Sequence, residues 1–139
     1  MSHEFLNPPD LGRPAGFSHV ALPAPGRLVF LAGQTAEGPG GALVGADEGI
    51  AGQFRAAATH LVKALGAAGA NPGDLVWLQI FTTDVDGYRA ALRPIGAAWR
   101  DSFGSHYPAT GLFGVARLFH PDALVELMGI AVVPEPPGG

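Results

Sequence analysis

Four segments of this chain have the character of β-strands that are apolar on both faces. They cover residues 28–31, 75–81, 111–118 and 124–133. Successive side chains of a strand point to opposite faces, so a sheet built from these segments needs cover on both sides. The two amphipathic helices predicted in the chain can cover one side of the sheet. We expect the other side to be covered by symmetric association with further copies.

The last of these segments carries one carboxylate, Glu126, among apolar residues. A carboxylate that is buried without a partner loses several kcal/mol of hydration. Glu126 therefore needs a cation, a hydrogen-bond network, or a cleft that holds water and substrate. We favour the cleft, which makes Glu126 a candidate catalytic residue. The alternative is an ion pair with Arg117 or Arg13.

The predicted order of elements is β-β-α-β-α-β-β, an α+β layout with two helices on one face of the sheet. Residues 16–22 and 27–34 are predicted to pair as a hairpin around the turn at 23–26. A second hairpin is predicted from strands at 110–118 and 124–133. The link between them, residues 119–122, is far too short for a parallel crossover.

Two helices follow from hydrophobic spacing. The first has Asp47 as its candidate N-cap, an apolar stripe from Ile50 to Leu65, and an end at Gly66 or Gly69. The second begins near Asp86 and stops at Gly104, and Pro94 should disturb one of its turns. The glycine-rich segment 38–45 lacks the spacing of a phosphate-binding loop, so it is interpreted as a flexible turn.

The length of 139 residues fits one domain. Residues 1–15, rich in proline and turn-forming residues, are predicted to form an irregular N-terminal arm. Residues 16–133 form the single domain. Residues 134–139 contain three prolines and two glycines, so they are predicted to be a flexible tail.

Composition narrows the possible partners. The net charge is -4 and the eight Lys and Arg residues are scattered, which disfavours nucleic acid as a partner. There is no cysteine, and the five histidines have no spacing typical of a metal site, so neither a metal nor a cofactor is expected. No export signal and no apolar run of membrane-spanning length is found, so we expect no membrane association and a cytoplasmic location.

Several motifs resemble one known family. They are Pro108-Ala109, the run Val115-Ala116-Arg117-Leu118, and Ala123-Leu124-Val125-Glu126 after a turn. Together with similarity that extends over nearly the whole chain, including Gly16-Phe17-Ser18-His19, Leu31-Ala32-Gly33-Gln34 and Phe81-Thr82-Thr83-Asp84, they resemble the RidA/YjgF family of enamine/imine deaminases. The resemblance implies a chorismate-mutase-like fold and a homotrimer with a barrel-like centre. It also implies that a small-molecule ligand binds in three clefts between subunits.

The same resemblance suggests roles for individual residues. Glu126 stands where the family carboxylate orients the water that attacks the imine carbon. The positions implied to contact substrate are Phe17, Gly33, Asp86, Thr110, Gly111 and Leu112.

One departure from the family is important for substrate choice. The deaminases hold the substrate carboxylate with an arginine where this chain has Thr110. Arg117 lies on the same predicted strand, but roughly 23 Å away and on the opposite face, so it cannot replace that arginine. Arg13 in the arm is a possible substitute. Phe17 retains the ring of a common family tyrosine without its hydroxyl, and the turn at 119–122 is one residue longer than usual.

Two functional classes follow. The first is a hydrolase or deaminase that acts on a reactive imine, an enamine or a related carbon–nitrogen compound other than the standard 2-imino acids derived from amino acids. The second is a trimer that binds a small metabolite without converting it. Ribonuclease activity, attributed to some family members, finds little support in an acidic chain without a basic patch.

Overall fold

The computed structural model describes residues 2–136, which contain six β-strands and three α-helices. The strands are β1 (Glu4–Leu6), β2 (Val20–Leu22), β3 (Gly26–Gln34), β4 (Leu75–Thr82), β5 (Ala109–Gly114) and β6 (Val125–Pro134). The helices are α1 (Gly49–Ala67), α2 (Val85–Ala90) and α3 (Leu92–Phe103). In this part of the chain no helix has both the length and the apolar character that a membrane crossing requires.

Four strands form the main sheet in the order β3-β6-β4-β5. Strand β6 is antiparallel to both of its neighbours, whereas β5 is parallel to β4. Helices α1 and α3 pack against each other on one face of this mixed sheet. The predicted α+β class, with two main helices on one face, is therefore confirmed.

The predicted hairpin of the last two strands is wrong, because β4 lies between β5 and β6. Strand β5 already ends at Gly114, so the connection to β6 consists of residues 115–124 and is long enough to pass the end of β4. Both ends of this connection bond to β4. The Val115 N–H donates to Thr82 O at 2.9 Å, and the Thr82 hydroxyl donates to Leu124 O at 2.8 Å.

The predicted N-terminal hairpin is also wrong, since β2 pairs with β1 and not with β3. Residues 4–6 of the predicted irregular arm thus form a strand. His3 fixes the arm beside the turn at 23–25: Ala24 N–H donates to its Nδ1 at 2.9 Å, and Nε2 lies 2.8 Å from Val132 O. The prolines on both sides of Ala24 have no N–H to extend a ladder from that turn.

At the C-terminal end, Pro134 still pairs with Gly26 in the main sheet. The predicted flexible tail at 134–139 therefore overlaps the end of β6, and its last three residues lie outside the part of the chain that the structure describes.

Helix α1 begins two residues later than its predicted cap. A 3-10 turn at Ala46–Glu48 precedes it, so Asp47 is not the N-cap. Its end agrees with the prediction, because Gly69 has φ +74° and the Ala70 N–H donates to Leu65 O at 2.9 Å.

The second predicted helix is divided into α2 and α3 at Ala91, whose φ is -106° and ψ 18°. Pro94 explains this break, because a proline ring collides with the carbonyl group four residues earlier in a continuous helix. Asp84 caps α2 by accepting from the Gly87 N–H at 2.8 Å.

The core lies between the sheet and the helices. Phe54, Leu61 and Leu65 of α1 are fully buried, as are Leu78 and Leu127 of the central strands. Each such side chain contributes about 1.5–3 kcal/mol by leaving water.

The other face of the sheet is open within one chain. Phe30 is 73% exposed and Leu28 60%, and Phe113 and Met128 are also exposed. The second apolar face expected from the sequence is therefore present, and residues 2–136 leave it uncovered.

Two glycines of α1 allow a matched test of this packing. A Cβ on Gly52 would lie 2.1 Å from Gly45 O, whereas nothing lies within 4 Å of a Cβ on Gly66. We expect Gly52→Ala to lower the free energy of unfolding by about 1–3 kcal/mol, because the loop must move away from the helix. Gly66→Ala should raise it by about 0.5–1 kcal/mol. Urea unfolding of both variants measures this, and equal effects would contradict the close approach.

Candidate functional site

Glu126 lies in a row of residues that crosses the open face of the sheet. Phe81 of β4 is the register partner of Glu126 on one side and of Phe113 on the other. The rings of Phe81 and Phe113 stack with centroids 5.6 Å apart. On the other flank the carboxylate lies against Gly33, where an added Cβ would be 2.5 Å from Glu126 Oε1. A side chain at position 33 would therefore displace this carboxylate from its present position.

The carboxylate of Glu126 is half-buried and has no internal partner among residues 2–136. The ion pairs within those residues are Arg55 with Asp101 and Arg89 with Asp86, so the alternative pairing of Glu126 with Arg117 or Arg13 is not observed. Neither carboxylate oxygen is fully enclosed, because no enclosed side-chain oxygen lacks a hydrogen bond there. Glu126 is thus free to bind water at this face.

Gln79 is a second polar residue on the open face, and the sequence predictions gave it no role. It is half-buried, and its register partners are Met128 on β6 and Gly111 on β5. The signal was present in the sequence as the one amide within the apolar strand β4. Gln79 lies one row from Glu126 and offers both a donor and an acceptor.

Thr110 and Leu112 lie on the opposite face of the sheet from Glu126. Thr110 is the register partner of Leu78, whose side chain is fully buried on the helix side. The Thr110 hydroxyl donates to Pro108 O at 2.8 Å, which leaves its oxygen as an acceptor. Within one chain, the predicted catalytic residue and this pair of predicted substrate-binding residues therefore do not share a cleft.

On the helix side, Thr110 and Leu112 line a cavity of about 560 Å³ together with Phe17. The cavity lies between β5, α3 and residues 15–17. The remaining lining residues are mainly apolar or aromatic: Ile80, Tyr88, Leu92, Ile95, Gly96, Trp99, Arg100 and Tyr107. Its volume is within the range of small-molecule sites, and its few polar groups are typical of them.

Three aromatic residues form the rigid part of this cavity. The Trp99 Nε1–H donates to His106 O at 3.1 Å, and the indole stacks on Tyr107 with ring centroids 5.8 Å apart and an angle of 8°. Burial raises the pKa of the Tyr88 hydroxyl to about 12, so this group remains a neutral donor at physiological pH. Neither tyrosine hydroxyl has an internal hydrogen-bond partner in the described residues, and neither is fully enclosed.

Arg100 is the cationic residue of the cavity lining, and the sequence predictions missed it. Its side chain is exposed and forms no ion pair within residues 2–136. The sequence did contain a signal, since Gly96 and Arg100 are one helical turn apart and flank the buried pair Ile95 and Trp99. Arg117 and Arg13 were the cations that the sequence offered as substitutes for the family arginine.

Two further predicted substrate-binding residues lie elsewhere. Asp86, at the start of α2, is paired with Arg89 at 3.2 Å, and its side chain is 96% exposed. Gly111 faces the open side, where an added Cβ would lie 2.8 Å from the Phe113 ring. Within the residues described, no three His, Asp or Glu side chains cluster as metal ligands would.

Comparison with protein families gives one match over most of the chain. Residues 11–133 match the family model described as Endoribonuclease L-PSP. Among curated proteins, no significant match was found.

Several solved structures are similar over nearly the whole chain. One is YyfB from Yersinia pestis, a member of the Rid protein family whose function is stated as unknown. It has 29% sequence identity and a TM-score of 0.83, and the match covers 96% of this chain and 100% of YyfB.

Two more relatives support the same relationship. Rv2704 from Mycobacterium tuberculosis, of the YjgF/YER057c/UK114 family, has 29% identity, a TM-score of 0.60 and coverage of 95% and 100%. The YjgF gene product from E. coli has 27% identity and a TM-score of 0.63, and the match covers 77% of this chain and 81% of that protein.

Proposed function

Because the chain belongs to the RidA/YjgF (Endoribonuclease L-PSP) family, we propose that it is a small-molecule hydrolase that deaminates a reactive imine, an enamine or a related carbon–nitrogen compound. The observation that carries the proposal is the Glu126 carboxylate, which is half-buried over Gly33 without an internal partner in the described residues. A carboxylate in such a position is suited to accept a proton from water.

The proposed reaction needs one general acid–base group. Glu126 takes a proton from a water molecule while the water oxygen attacks the imine carbon. The same carboxyl group returns the proton to nitrogen. The hydroxyl proton of the tetrahedral intermediate then also passes to nitrogen, the C–N bond breaks, and a carbonyl compound and ammonia leave. An enamine first gains a proton on carbon and loses one from nitrogen, and so enters as the imine. The balance is one imine and one water consumed, with one carbonyl compound and one ammonia released.

The complete site is proposed to lie between subunits of a homotrimer with a barrel-like centre. Glu126 and Gly33 occupy the open face of the sheet, whereas Phe17, Thr110 and Leu112 occupy the helix side. A second copy can bring its helix-side residues to the Glu126 face of the first, which one chain cannot do alone. The exposed Leu28 and Phe30 support such an association because their burial releases water.

Sedimentation equilibrium tests the assembly. The expected mass is about three times the 14.2 kDa chain. Phe30→Glu places a charge on the open face and should give monomers, because burying that charge unpaired is costly. Val44→Glu is the matched control, since Val44 is 52% exposed but lies on a loop, and it should leave the trimer intact. A monomeric wild type at micromolar concentration would refute the trimer.

Glu126→Gln tests the proposed catalytic role. The variant keeps the size of the side chain but cannot accept the proton, so ammonia release should fall by about 10²–10⁴-fold. The exposed Glu4 provides the control, and Glu4→Gln should retain wild-type turnover. Ammonia is measured during oxidation of benzylamine by a flavin-dependent amine oxidase, which supplies an imine. Turnover within threefold of the wild type in folded Glu126→Gln would exclude this role.

The substrate is proposed to lack a carboxylate at the reacting carbon. Thr110 offers an oxygen acceptor and no cation, and the neighbouring wall is formed by Phe17 and Leu112. The standard 2-imino acids place their carboxylate beside the C=N bond, where Thr110 provides no charged clamp.

Thr110→Arg tests this specificity. A charge-assisted pair with the carboxylate contributes about 1.5–3 kcal/mol, so the variant should hydrolyse 2-imino acids roughly 10- to 150-fold faster than the wild type. The 2-imino acids are generated in situ by an amino-acid oxidase. Thr110→Lys is the control, because it adds the charge without the planar fork and should gain less. Efficient turnover of these compounds by the wild type would contradict the proposed specificity.

The alternative is a trimer that binds a small metabolite without converting it, and the cavity of about 560 Å³ is compatible with that function too. Ammonia release separates the two functions. Ribonuclease activity, which the family description names, is disfavoured by the net charge of -4, since a phosphate backbone requires a basic surface.

A further inference from the structure

The helix-side cavity is lined by more polar groups able to bind a ligand than the hydrolysis of a C=N bond requires. Glu126 can perform the acid–base step alone, yet the cavity presents a guanidinium group and two tyrosine hydroxyls without internal partners. Small-molecule sites typically combine an apolar wall with a few such polar groups, which orient the ligand. These groups on the helix side therefore indicate what the ligand carries besides its reacting bond.

The apolar part of the cavity suits a planar ring. Trp99 stacks with Phe54 and with Tyr107, at centroid distances of 6.5 Å and 5.8 Å, and its Nε1–H donates to His106 O, so the plane of the indole is fixed. Tyr88 is held edge-on by Phe54 at 6.2 Å. Fixed aromatic side chains bind another ring by stacking or edge contacts with little loss of side-chain entropy.

The charged part of the cavity suits an anion. Arg100 is exposed and forms no ion pair within residues 2–136, and the adjacent carboxylate, Asp101, pairs with Arg55 at 2.6 Å. An unpaired guanidinium group at the rim of an apolar cavity can form a bidentate pair with a carboxylate at low desolvation cost. Arg100 lies on α3, whereas Thr110, which stands where the related deaminases have an arginine, lies on β5. An anion bound to Arg100 is therefore held by a helix and not by the strand that binds it in those deaminases.

We propose that this cavity binds an aromatic ring that carries an anionic group, with the ring against Trp99 and Tyr107 and the anion on Arg100. This inference names the substrate class of the site proposed above. It rests on that proposal only for the claim that the bound molecule is hydrolysed; binding itself does not depend on Glu126.

Isothermal titration with two small probes tests the inference. Phenylacetate has the ring and the anion, whereas phenylacetamide has the ring without the charge. The wild type should bind phenylacetate about 10-fold more tightly, as expected for one charge-assisted pair at a partly exposed site. Arg100→Gln should remove this preference and leave the affinity for phenylacetamide unchanged. Arg93→Gln, in the same helix but outside the cavity lining, should keep the preference.

A second variant tests the location of the ring. Gly96 lines the cavity, and a Cβ there meets only Arg100 Nη1 at 3.5 Å, so Gly96→Leu can extend into the cavity without a backbone collision. It should weaken binding of both probes at least 10-fold. Gly66→Leu in α1 is the matched helical control and should bind normally. As a check that needs no cavity variant, phenylacetate should change the Trp99 fluorescence of Trp77→Phe, which retains one of the two tryptophans.

The possible results separate this inference from the proposed function. Equal affinity for the two probes in the wild type, unchanged binding by folded Gly96→Leu, or an unchanged Trp99 signal at millimolar phenylacetate would overturn the cavity assignment. Normal probe binding by Glu126→Gln together with absence of ammonia release in every protein would overturn only the hydrolase. Hydrolysis of the benzylamine-derived imine together with no binding of either probe would overturn only the proposed binding of an aromatic anion in the cavity.

Discussion

The pairing of β4 with β5 on one side and with β6 on the other determines on which face of the sheet Thr110, Leu112 and Glu126 lie. Parallel pairing places Thr110 beside Leu78, and antiparallel pairing places Glu126 beside Phe81. Side chains alternate between the two faces along a strand, and Leu78 and Phe81 are three positions apart on β4. Thr110 and Glu126 therefore lie on opposite faces of the sheet. A shift of one residue in either register would bring Thr110 and Glu126 to the same face and remove the division of the site into two halves.

The proposed division of the site would account for an apolar sheet face and a solitary carboxylate occurring together. The row from Gly33 to Phe113 is apolar apart from Glu126, and within one chain much of it faces solvent. Association of copies would bury Phe30 and its neighbours and would enclose Glu126 in a low-dielectric cleft, where proton transfer to and from a carboxylate is sensitive to small changes in geometry. Assembly and catalysis would then depend on the same surface.

The parts of the fold that depend on local periodicity could be predicted from the sequence. Helix α1 and strand β4 each have an uninterrupted apolar pattern, and both were located within a few residues. The strand neighbours were not predicted, because the hairpin assumption used only the length of residues 119–122. The true connection, residues 115–124, is longer because the edge strand β5 already stops at Gly114. Both ends of this connection, Val115 and Leu124, are hydrogen-bonded to Thr82 of β4.

In the candidate site, too, some residues could be predicted from the sequence and others could not. Glu126 and Gly33 could be identified because a carboxylate and a glycine in apolar strands are each exceptional. Arg100 could not be identified in this way, because an arginine on an amphipathic helix is ordinary, and only the folded chain places it in one cavity lining with residues 15–17. Sites that are completed by packing between distant segments leave little periodic signal in a sequence.

Complementation between two defective variants tests the divided site most directly. Glu126→Gln impairs the open-face half, and Leu112→Trp should obstruct the helix-side half; each protein alone should be nearly inactive in the benzylamine-imine assay. Equal amounts are unfolded together and refolded. If each site combines Glu126 of one subunit with Leu112 of another, about a quarter of the sites regain both intact halves, and about a quarter of wild-type activity should return. Activity no higher than that of the separate variants would contradict the account, because it would mean that one chain must supply both halves.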